Sequence, residues 1–261
     1  MHYLGIDIGS LSCDAVLIDD SENIVASTVV PTGARNIEAI RRARGEVLAA
    51  AGISEKDLAA VVATGYGRDR VEERLASVTE ITCHGRGIRK LLPGTDVLID
   101  IGGQDSKVIR FDGHGNVSDF AMNDKCAAGT GRFLEAMARA LEVDIDQLEK
   151  LDQGATGNLT LSSMCTVFAE SEVVSLIADG AEVAEIAAGL HRAIATRQHT
   201  LVKRVAPDIT DMKIAMSGGV ARNRGVVRAL EKLLGRPVAV PDEPDTVGAL
   251  GAALIAMERS G

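Results

Sequence analysis

The sequence has no tryptophan and very few other aromatic residues, with two tyrosines and four phenylalanines in 261 residues. Proteins that bind single-stranded nucleic acids stack the bases on aromatic side chains, so this scarcity argues against such a surface. The net charge of −9 points the same way, because nucleic acids and anionic membranes attract basic proteins. We therefore expect neither nucleic acid nor a membrane as the main partner.

Long apolar runs are also lacking. The stretch VGALGAALIAM, near the C-terminal end, is too short to cross a bilayer, and the first residues lack the basic and apolar regions of a signal peptide. Cysteine is also scarce. Four cysteines in a chain of this length are too few for a disulfide framework, which argues against a secreted protein. These features predict a cytoplasmic protein.

An internal repeat is the most informative pattern that is present. The segment GIDIGSLSCDAVLIDDSENIV from Gly5 aligns without a gap with LIDIGGQDSKVIRFDGHGNV from Leu98, so that Asp7 falls on Asp100. Each copy reads as an apolar strand ending in Asp-Ile-Gly, a polar turn, a second strand, a turn rich in Asp, Asn or Gly, and a third strand. Two plain hairpins would explain either copy alone, but the repeat favours a shared function.

The repeated turns have the chemistry of phosphate binding. A glycine turn lets backbone N–H groups approach a phosphate closely, and an aspartate at the end of the preceding strand can hold Mg²⁺ through water. Two such turns facing each other would hold one nucleotide from both sides. Asp7 and Asp100 are the Mg²⁺ candidates. The expected phosphate contacts are Gly9, Ser10, Leu11, Ser12, Gly102, Gly103 and Gln104.

A third segment fits the same ligand. MKIAMSGGVARNRGVVRALEKLLG from Met212 reads as a strand, a turn at Gly218 and Gly219, and a helix, and such a turn can accept an adenosine; we include Asn223 among its contacts. Helical patterns also start at Asn36 and His191. We expect one domain over residues 1–90, with a helix over about 245–261 packing back on it, and a second over residues 91–244. The nucleotide would lie in the cleft between them.

Two cysteines stand directly before helix-like segments. Cys126 precedes a Gly-Thr-Gly turn and an apolar-periodic stretch, and Cys165 precedes TVFAESEVVSLIADG. A thiolate near a helix N-terminus is reactive or holds a metal, because N–H groups and the helix dipole favour an anion there. Cys13 and Cys83 read as small core residues. A zinc site of Cys83, His84, Cys126 and Cys165 is an alternative, although no Cys-x₂-Cys spacing supports it.

Motifs over nearly the whole chain carry a family resemblance. They are TGYGR at Thr64, EITCHGRG at Glu80, DIGGQDSK at Asp100, NDKCAAGTGRFLE at Asn123, CTVFAESEVVSLIADG at Cys165 and SGGVARN at Ser217. The chain resembles the activator components of 2-hydroxyacyl-CoA dehydratases in the BadF/BadG/BcrA/BcrD ATPase family of the actin-like ATPases. The resemblance implies an α/β fold, a duplicated actin-like (ribonuclease H-like) ATPase of two domains with a nucleotide cleft.

The same resemblance implies an activity. It implies an ATPase that uses ATP and Mg²⁺ to drive low-potential electron transfer, with Gln104 or Asp105 positioning the attacking water. Cys126 and Cys165 would hold one [4Fe-4S] cluster shared by a homodimer, since two ligands per chain become four across a two-fold axis. A ferredoxin or flavodoxin would reduce it, and the electron would pass to a partner dehydratase or reductase component with its own Fe–S cluster.

One position departs from the family pattern. The family's first phosphate turn usually leads to a lysine, and Asp14 stands in that place here. A carboxylate there would oppose phosphate binding unless it faced Mg²⁺ or solvent, and Lys107, its partner in the repeat, could supply the positive charge. Two alternative functions remain: a component of a benzoyl-CoA-reductase-like or double-cubane cluster system, and a cluster-free small-molecule kinase or nucleotide switch.

Overall fold

The computed structural model describes residues 1–161 and 165–261. Its strands are β1 (His2–Ile8), β2 (Ser12–Asp19), β3 (Ile24–Pro31), β4 (Leu58–Gly65), β5 (Ala76–Ser77), β6 (Val97–Ile101), β7 (Ser106–Phe111), β8 (Val117–Asn123), β9 (Ile214–Ser217) and β10 (Val238–Ala239). Its α-helices are α1 (Asn36–Ala51), α2 (Glu80–Leu91), α3 (Gly131–Ala140), α4 (Leu148–Leu151), α5 (Thr166–Ala178), α6 (Val183–Val205), α7 (Arg224–Leu234) and α8 (Val247–Ser260). None of these helices is long and apolar enough to cross a membrane.

The strands form two five-stranded sheets of the same topology. The first sheet has the order β3-β2-β1-β4-β5, and the second has the order β10-β9-β6-β7-β8. Subtracting five from each strand number of the second sheet gives the order of the first sheet, read from its other edge. Strands β6, β7 and β8 are therefore the counterparts of β1, β2 and β3. The expected duplicated α/β fold is confirmed.

The repeat extends to individual hydrogen bonds. In each glycine turn the first glycine donates its N–H to a carbonyl three residues later, and in each following turn an aspartate donates its N–H to an asparagine carbonyl four residues later. The four bonds are Gly9 N to Ser12 O at 2.9 Å, Gly102 N to Asp105 O at 3.0 Å, Asp19 N to Asn23 O at 3.0 Å and Asp112 N to Asn116 O at 2.9 Å. The two copies therefore share backbone geometry as well as sequence.

The chain divides into two compact units. The first comprises residues 1–98, 109–120 and 241–261, and the second comprises residues 99–108 and 121–240. The first unit thus contains residues 91–98 and 109–120, which lie beyond the predicted boundary at residue 90. The boundary that we drew from the sequence stays a prediction.

The first sheet is covered on both faces within the first unit. Leu4, Ile6 and Ile8 of β1 pack in one apolar cluster with Val47 of α1. On the opposite face α8 approaches the backbone of β1 so closely that a Cβ on Gly5 would lie 1.9 Å from Ala249 O. Only glycine permits this contact, which fixes the C-terminal helix against the first strand of the chain.

Candidate functional site

The first glycine turn, Gly9 to Ser12, joins β1 to β2. Asp7 lies near the end of β1 and is buried. The parallel strand β4 follows α1 and places Thr64 beside Asp7 and Gly65 beside Ile8. The TGYGR motif therefore begins next to the first turn, at the carboxyl ends of two parallel strands, where open α/β sheets bind their ligands.

Asp14 lies directly opposite Asp7 in the antiparallel pairing of β1 and β2, and both side chains are buried. Ser12 Oγ donates to Asp14 Oδ2 at 3.1 Å, whereas Asp14 Oδ1 has no hydrogen-bond partner within the residues that the structure describes. Burial, followed by the charges of Asp7 and Asp245, raises the pKa of Asp14 well above its usual range. Asp14 is therefore a buried carboxyl group that favours its neutral form.

In the second copy of the repeat, a lysine, Lys107, stands at the position that matches Asp14. Lys107 Nζ lies 3.5 Å from Asp100 Oδ2 and 2.5 Å from Asp105 Oδ2, and all three residues are buried. Ser217 Oγ donates to Asp100 Oδ1 at 2.7 Å. The ammonium group thus balances two carboxylates that would otherwise be costly to bury. Gln104 is exposed at the tip of this turn.

The adenosine segment also has a well-defined backbone. Gly218 has φ +83°, and a Cβ there would lie 2.3 Å from Ile101 O, so that only glycine fits. Gly219 is exposed. Asn223 is the N-cap of α7, because its side chain accepts a hydrogen bond from Val226 N at 3.1 Å. The sequence pattern did not distinguish this capping role from a ligand contact.

The four cysteines fall into two classes. Cys13 and Cys83 are buried, which confirms them as core residues, and burial raises the pKa of Cys83 to about 12. Cys165 is exposed at the N-cap of α5, and Cys126 is half-buried four residues before Thr130, the N-cap of α3. No group of three or more His, Cys, Asp or Glu suited to a metal exists among the described residues of one chain. The alternative zinc site is therefore wrong for a single chain.

Three further residues belong to these sites through contacts that the sequence patterns did not predict. Ser217 holds Asp100, His84 lies with Asp7 against Gly248 at the start of α8, and Thr130 donates to Gly103 O at 2.9 Å. Ser217 and Thr130 stand inside the SGG and GTG stretches, which was the available signal. Their partners are far away in sequence, and no local pattern identifies them.

Comparison with known proteins identifies the family. The model of the BadF/BadG/BcrA/BcrD ATPase family matches residues 4–256. The activator of lactoyl-CoA dehydratase from Anaerotignum propionicum is 46% identical over 260 residues, which cover 100% of this chain and 99% of that protein. One of the subunits of benzoyl-CoA reductase from Thauera aromatica is 32% identical over 264 residues, covering 96% of this chain and 91% of that protein.

Solved structures agree in fold. The activator of the 2-hydroxyisocaproyl-CoA dehydratase from Clostridium difficile, with bound ADPNP, has a TM-score of 0.93 and 41% identity, covering 100% of this chain and 96% of that one. Component A of the (R)-2-hydroxyglutaryl-CoA dehydratase from Acidaminococcus fermentans has a TM-score of 0.94 and 42% identity, covering 100% and 99%. The resemblance seen in the motifs is confirmed: the chain belongs to the BadF/BadG/BcrA/BcrD ATPase family and has its actin-like α/β fold.

Proposed function

We propose that this ATPase is a one-electron activator of a partner 2-hydroxyacyl-CoA dehydratase. The observation that carries the proposal is the pair of accessible cysteines, Cys126 and Cys165, each placed ahead of a helix. The full-length similarity to proteins named as dehydratase activators supports the same conclusion.

The two cysteines fit half of the ligand set of a [4Fe-4S] cluster. Both are free thiols at accessible positions, and the first N–H groups of α5 lie directly after Cys165, where they favour a thiolate. A cubane cluster needs four thiolates, and one chain offers two accessible cysteines. A second copy related by a two-fold axis would complete the set. When bound, such a cluster supplies a one-electron carrier.

Helix α5 supports a homodimer at the same place. Its apolar side chains Val167, Phe168 and Val174 are 68%, 66% and 54% exposed, and only Ala169 and Val173 of this helix are buried. An apolar strip beside the proposed shared ligand would be covered by the second copy, because a two-fold interface buries the same patch of both chains.

The glycine turns are the proposed ATP contacts. Gly9 to Ser12 and Gly102 to Gln104 would surround the phosphates. Gly9 and Gly102 close the two turns with their own N–H groups, and the N–H groups that follow them would bind phosphate oxygens. Gly218 and Gly219 would accept the adenosine. Asp7 and Asp100 would hold Mg²⁺ through water, since Mg²⁺ takes one or two carboxylates and retains water ligands. Asp105 forms an ion pair with Lys107. Of the two candidates, Gln104 is therefore the better group to position the attacking water.

ATP can promote electron transfer only by binding two conformations of the dimer with different affinity. Cys126 and Cys165 would hold the electron carrier at the surface, where a ferredoxin or flavodoxin and then the partner dehydratase can approach. ATP binding would select the conformation that docks on the partner, and hydrolysis would reset it. Electron delivery would enable removal of water from the 2-hydroxyacyl-CoA, which the partner binds.

Iron and acid-labile sulfide in anaerobically purified protein test this proposal. We expect about four irons per two chains in the wild type and no bound iron in Cys126→Ser. Cys83→Ser is the control, because Cys83 lies buried in the core, and it should keep the iron content of the wild type. A colourless wild type after anaerobic reconstitution would contradict the proposal and favour a cluster-free kinase or nucleotide switch.

The partner is tested separately. The similarity to a subunit of benzoyl-CoA reductase supports a reductase as the second candidate partner. The reduced activator, with ATP, should start turnover of a purified 2-hydroxyacyl-CoA dehydratase. If it activates a reductase and not the dehydratase, the second candidate is supported.

A further inference from the structure

The start of helix α3 is hydrogen-bonded to the second glycine turn. Gly131 N donates to Gly102 O at 2.9 Å, and Arg132 N donates to Gly103 O at 2.9 Å. Two N–H groups at a helix N-terminus, which have no partner inside the helix, are thus satisfied by the carbonyls of the turn. The turn and the helix therefore move as one body unless these bonds break.

Thr130 adds a hydroxyl group with two possible acceptors. Its Oγ1 lies 2.9 Å from Gly103 O and 2.6 Å from Ala127 O, and the residue is completely buried. A hydroxyl has one hydrogen to donate, so a strong bond to one carbonyl weakens the bond to the other. Gly103 belongs to the glycine turn, whereas Ala127 directly follows Cys126.

The Cys126 loop is closed on its other side as well. Asn123 Nδ2 donates to Cys126 O at 3.0 Å, and Thr130 N donates to Ala127 O at 3.1 Å. Residues 123–130 therefore form a short hydrogen-bonded loop. A change in the Thr130 hydroxyl bond to Ala127 acts one residue away from the Cys126 thiol.

Phosphate binding at the turn would change the strength of these acceptors. Gly103 C=O shares its peptide group with Gln104 N–H, and Gly102 C=O shares its peptide group with Gly103 N–H. An anion that accepts a hydrogen bond from a peptide N–H polarises the same peptide group and makes its carbonyl a stronger acceptor. A phosphate on the turn would thus draw the Thr130 hydroxyl toward Gly103 O.

We propose that Thr130 couples the second glycine turn to the Cys126 loop, by moving its hydroxyl hydrogen bond from Ala127 O to Gly103 O when a nucleotide phosphate binds. The inference rests on the proposed function, because it takes the turn as the phosphate site. It makes Thr130 a positioning residue that contacts neither the phosphate nor the thiol. It also names the two-state element through which nucleotide would bias the cysteine loop.

Hydrogen–deuterium exchange of the full-length protein, with and without Mg–ADPNP, tests the coupling. Because the proposed shift removes the Thr130 hydroxyl bond to Ala127 O, we expect ADPNP to speed exchange in the peptide covering residues 124–132 of the wild type by about fivefold, the equilibrium factor of one hydrogen bond lost from the Cys126 loop. Thr130→Val should bind ADPNP, measured by calorimetry, yet lose this nucleotide-induced increase in exchange. Thr130→Ser, which keeps the hydroxyl, should restore it.

Thr95→Val is the matched control, since Thr95 is also buried and its hydroxyl donates to the carbonyl of Leu92. It should keep the full nucleotide effect. The inference is overturned if Thr130→Val keeps the effect, if Thr130→Ser fails to restore it, or if Thr95→Val loses it equally. Were Thr130→Val unable to fold, the wild type would decide: faster exchange in residues 124–132 with ADPNP supports the coupling, and unchanged or slower exchange overturns it.

The iron measurement decides the proposed function independently. Exchange at residues 124–132 reports on the protein backbone and does not require a cluster. A protein without iron that shows the Thr130 effect would contradict the proposed function and leave the coupling standing. A protein that holds iron but shows no Thr130 effect would support the proposed function and overturn the coupling.

Discussion

At the scale of single residues, the two copies of the repeat differ in charge at one matched pair. Asp100 faces Lys107 in the second copy, whereas Asp7 faces Asp14 in the first. Burial, followed by the repulsion between the two facing carboxylates, raises the pKa of Asp14 and so favours its neutral form. A neutral Asp14 would oppose phosphate binding less than a carboxylate would.

Asp14→Asn should stabilise the protein at pH 8 in metal-free buffer. The raised pKa of Asp14 means that the folded state binds its proton more tightly than the unfolded state, so stability falls as pH rises above the ordinary aspartate pKa of about 3.9. Asparagine avoids this loss and can donate to Asp7, and we expect a gain of about 1–3 kcal/mol in the free energy of unfolding. Urea denaturation should show the gain at pH 8 and little of it near pH 4.

Asp112→Asn is the contrasting control. Asp112 accepts hydrogen bonds from the backbone of Asn116 and His114, which lower its pKa, so its ionised form stabilises the turn. That variant should lose stability at pH 8 and not at low pH. A loss of stability in Asp14→Asn at pH 8 would show that the Asp14 carboxylate is needed in the fold.

At the scale of elements, local sequence patterns predicted most of the strands, turns and helices. The paired strands, both glycine turns and the helices that begin at Gly131, Thr166 and Arg224 follow from alternation, helical periodicity and turn residues. The contacts of Lys107, Ser217 and Thr130 do not, because each depends on a neighbour brought close by tertiary packing. Lys107 was expected near phosphates, and the structure surrounds it with two carboxylates.

Gly218→Ala should disrupt the turn between β9 and α7. An alanine Cβ would meet Ile101 O at 2.3 Å in a backbone conformation with φ +83°, which side chains rarely adopt. We expect a loss of about 2–4 kcal/mol in the free energy of unfolding, and weaker ADPNP binding in any protein that folds. Chemical denaturation and calorimetry measure the two effects.

Gly45→Ala provides the control for that change. Gly45 lies inside α1 with open space around its Cα, so alanine should stabilise the helix by about 0.5–1 kcal/mol. Equal behaviour of the two variants would contradict the assigned role of the Gly218 backbone.

At the scale of the whole molecule, the exposed strip on α5 predicts an assembly. Replacing Val167 and Phe168 together by glutamate should convert the proposed homodimer into monomers, because four charges would enter one two-fold interface. Light scattering coupled to size-exclusion chromatography measures the mass, and iron content should fall with it.

Ile24→Glu is the control for this double variant. Ile24 is also an exposed apolar side chain, 46% accessible, but it lies on β3 away from the cysteine segments in sequence. It should leave the mass unchanged. If the double variant remains a dimer, the dimer interface does not include the exposed strip on α5.

The packing of α8 on β1 has a consequence for how the protein is made. The face of the first sheet that carries Tyr3, Val16 and Val62 is covered by Ala249, Ala253 and other small residues of α8, which the ribosome makes much later than β1. The ribosome therefore releases an N-terminal segment whose apolar surface stays uncovered until α8 is made. The first unit completes its fold only after α8 has left the ribosome, so chaperones can bind the first sheet while the second unit is being synthesised.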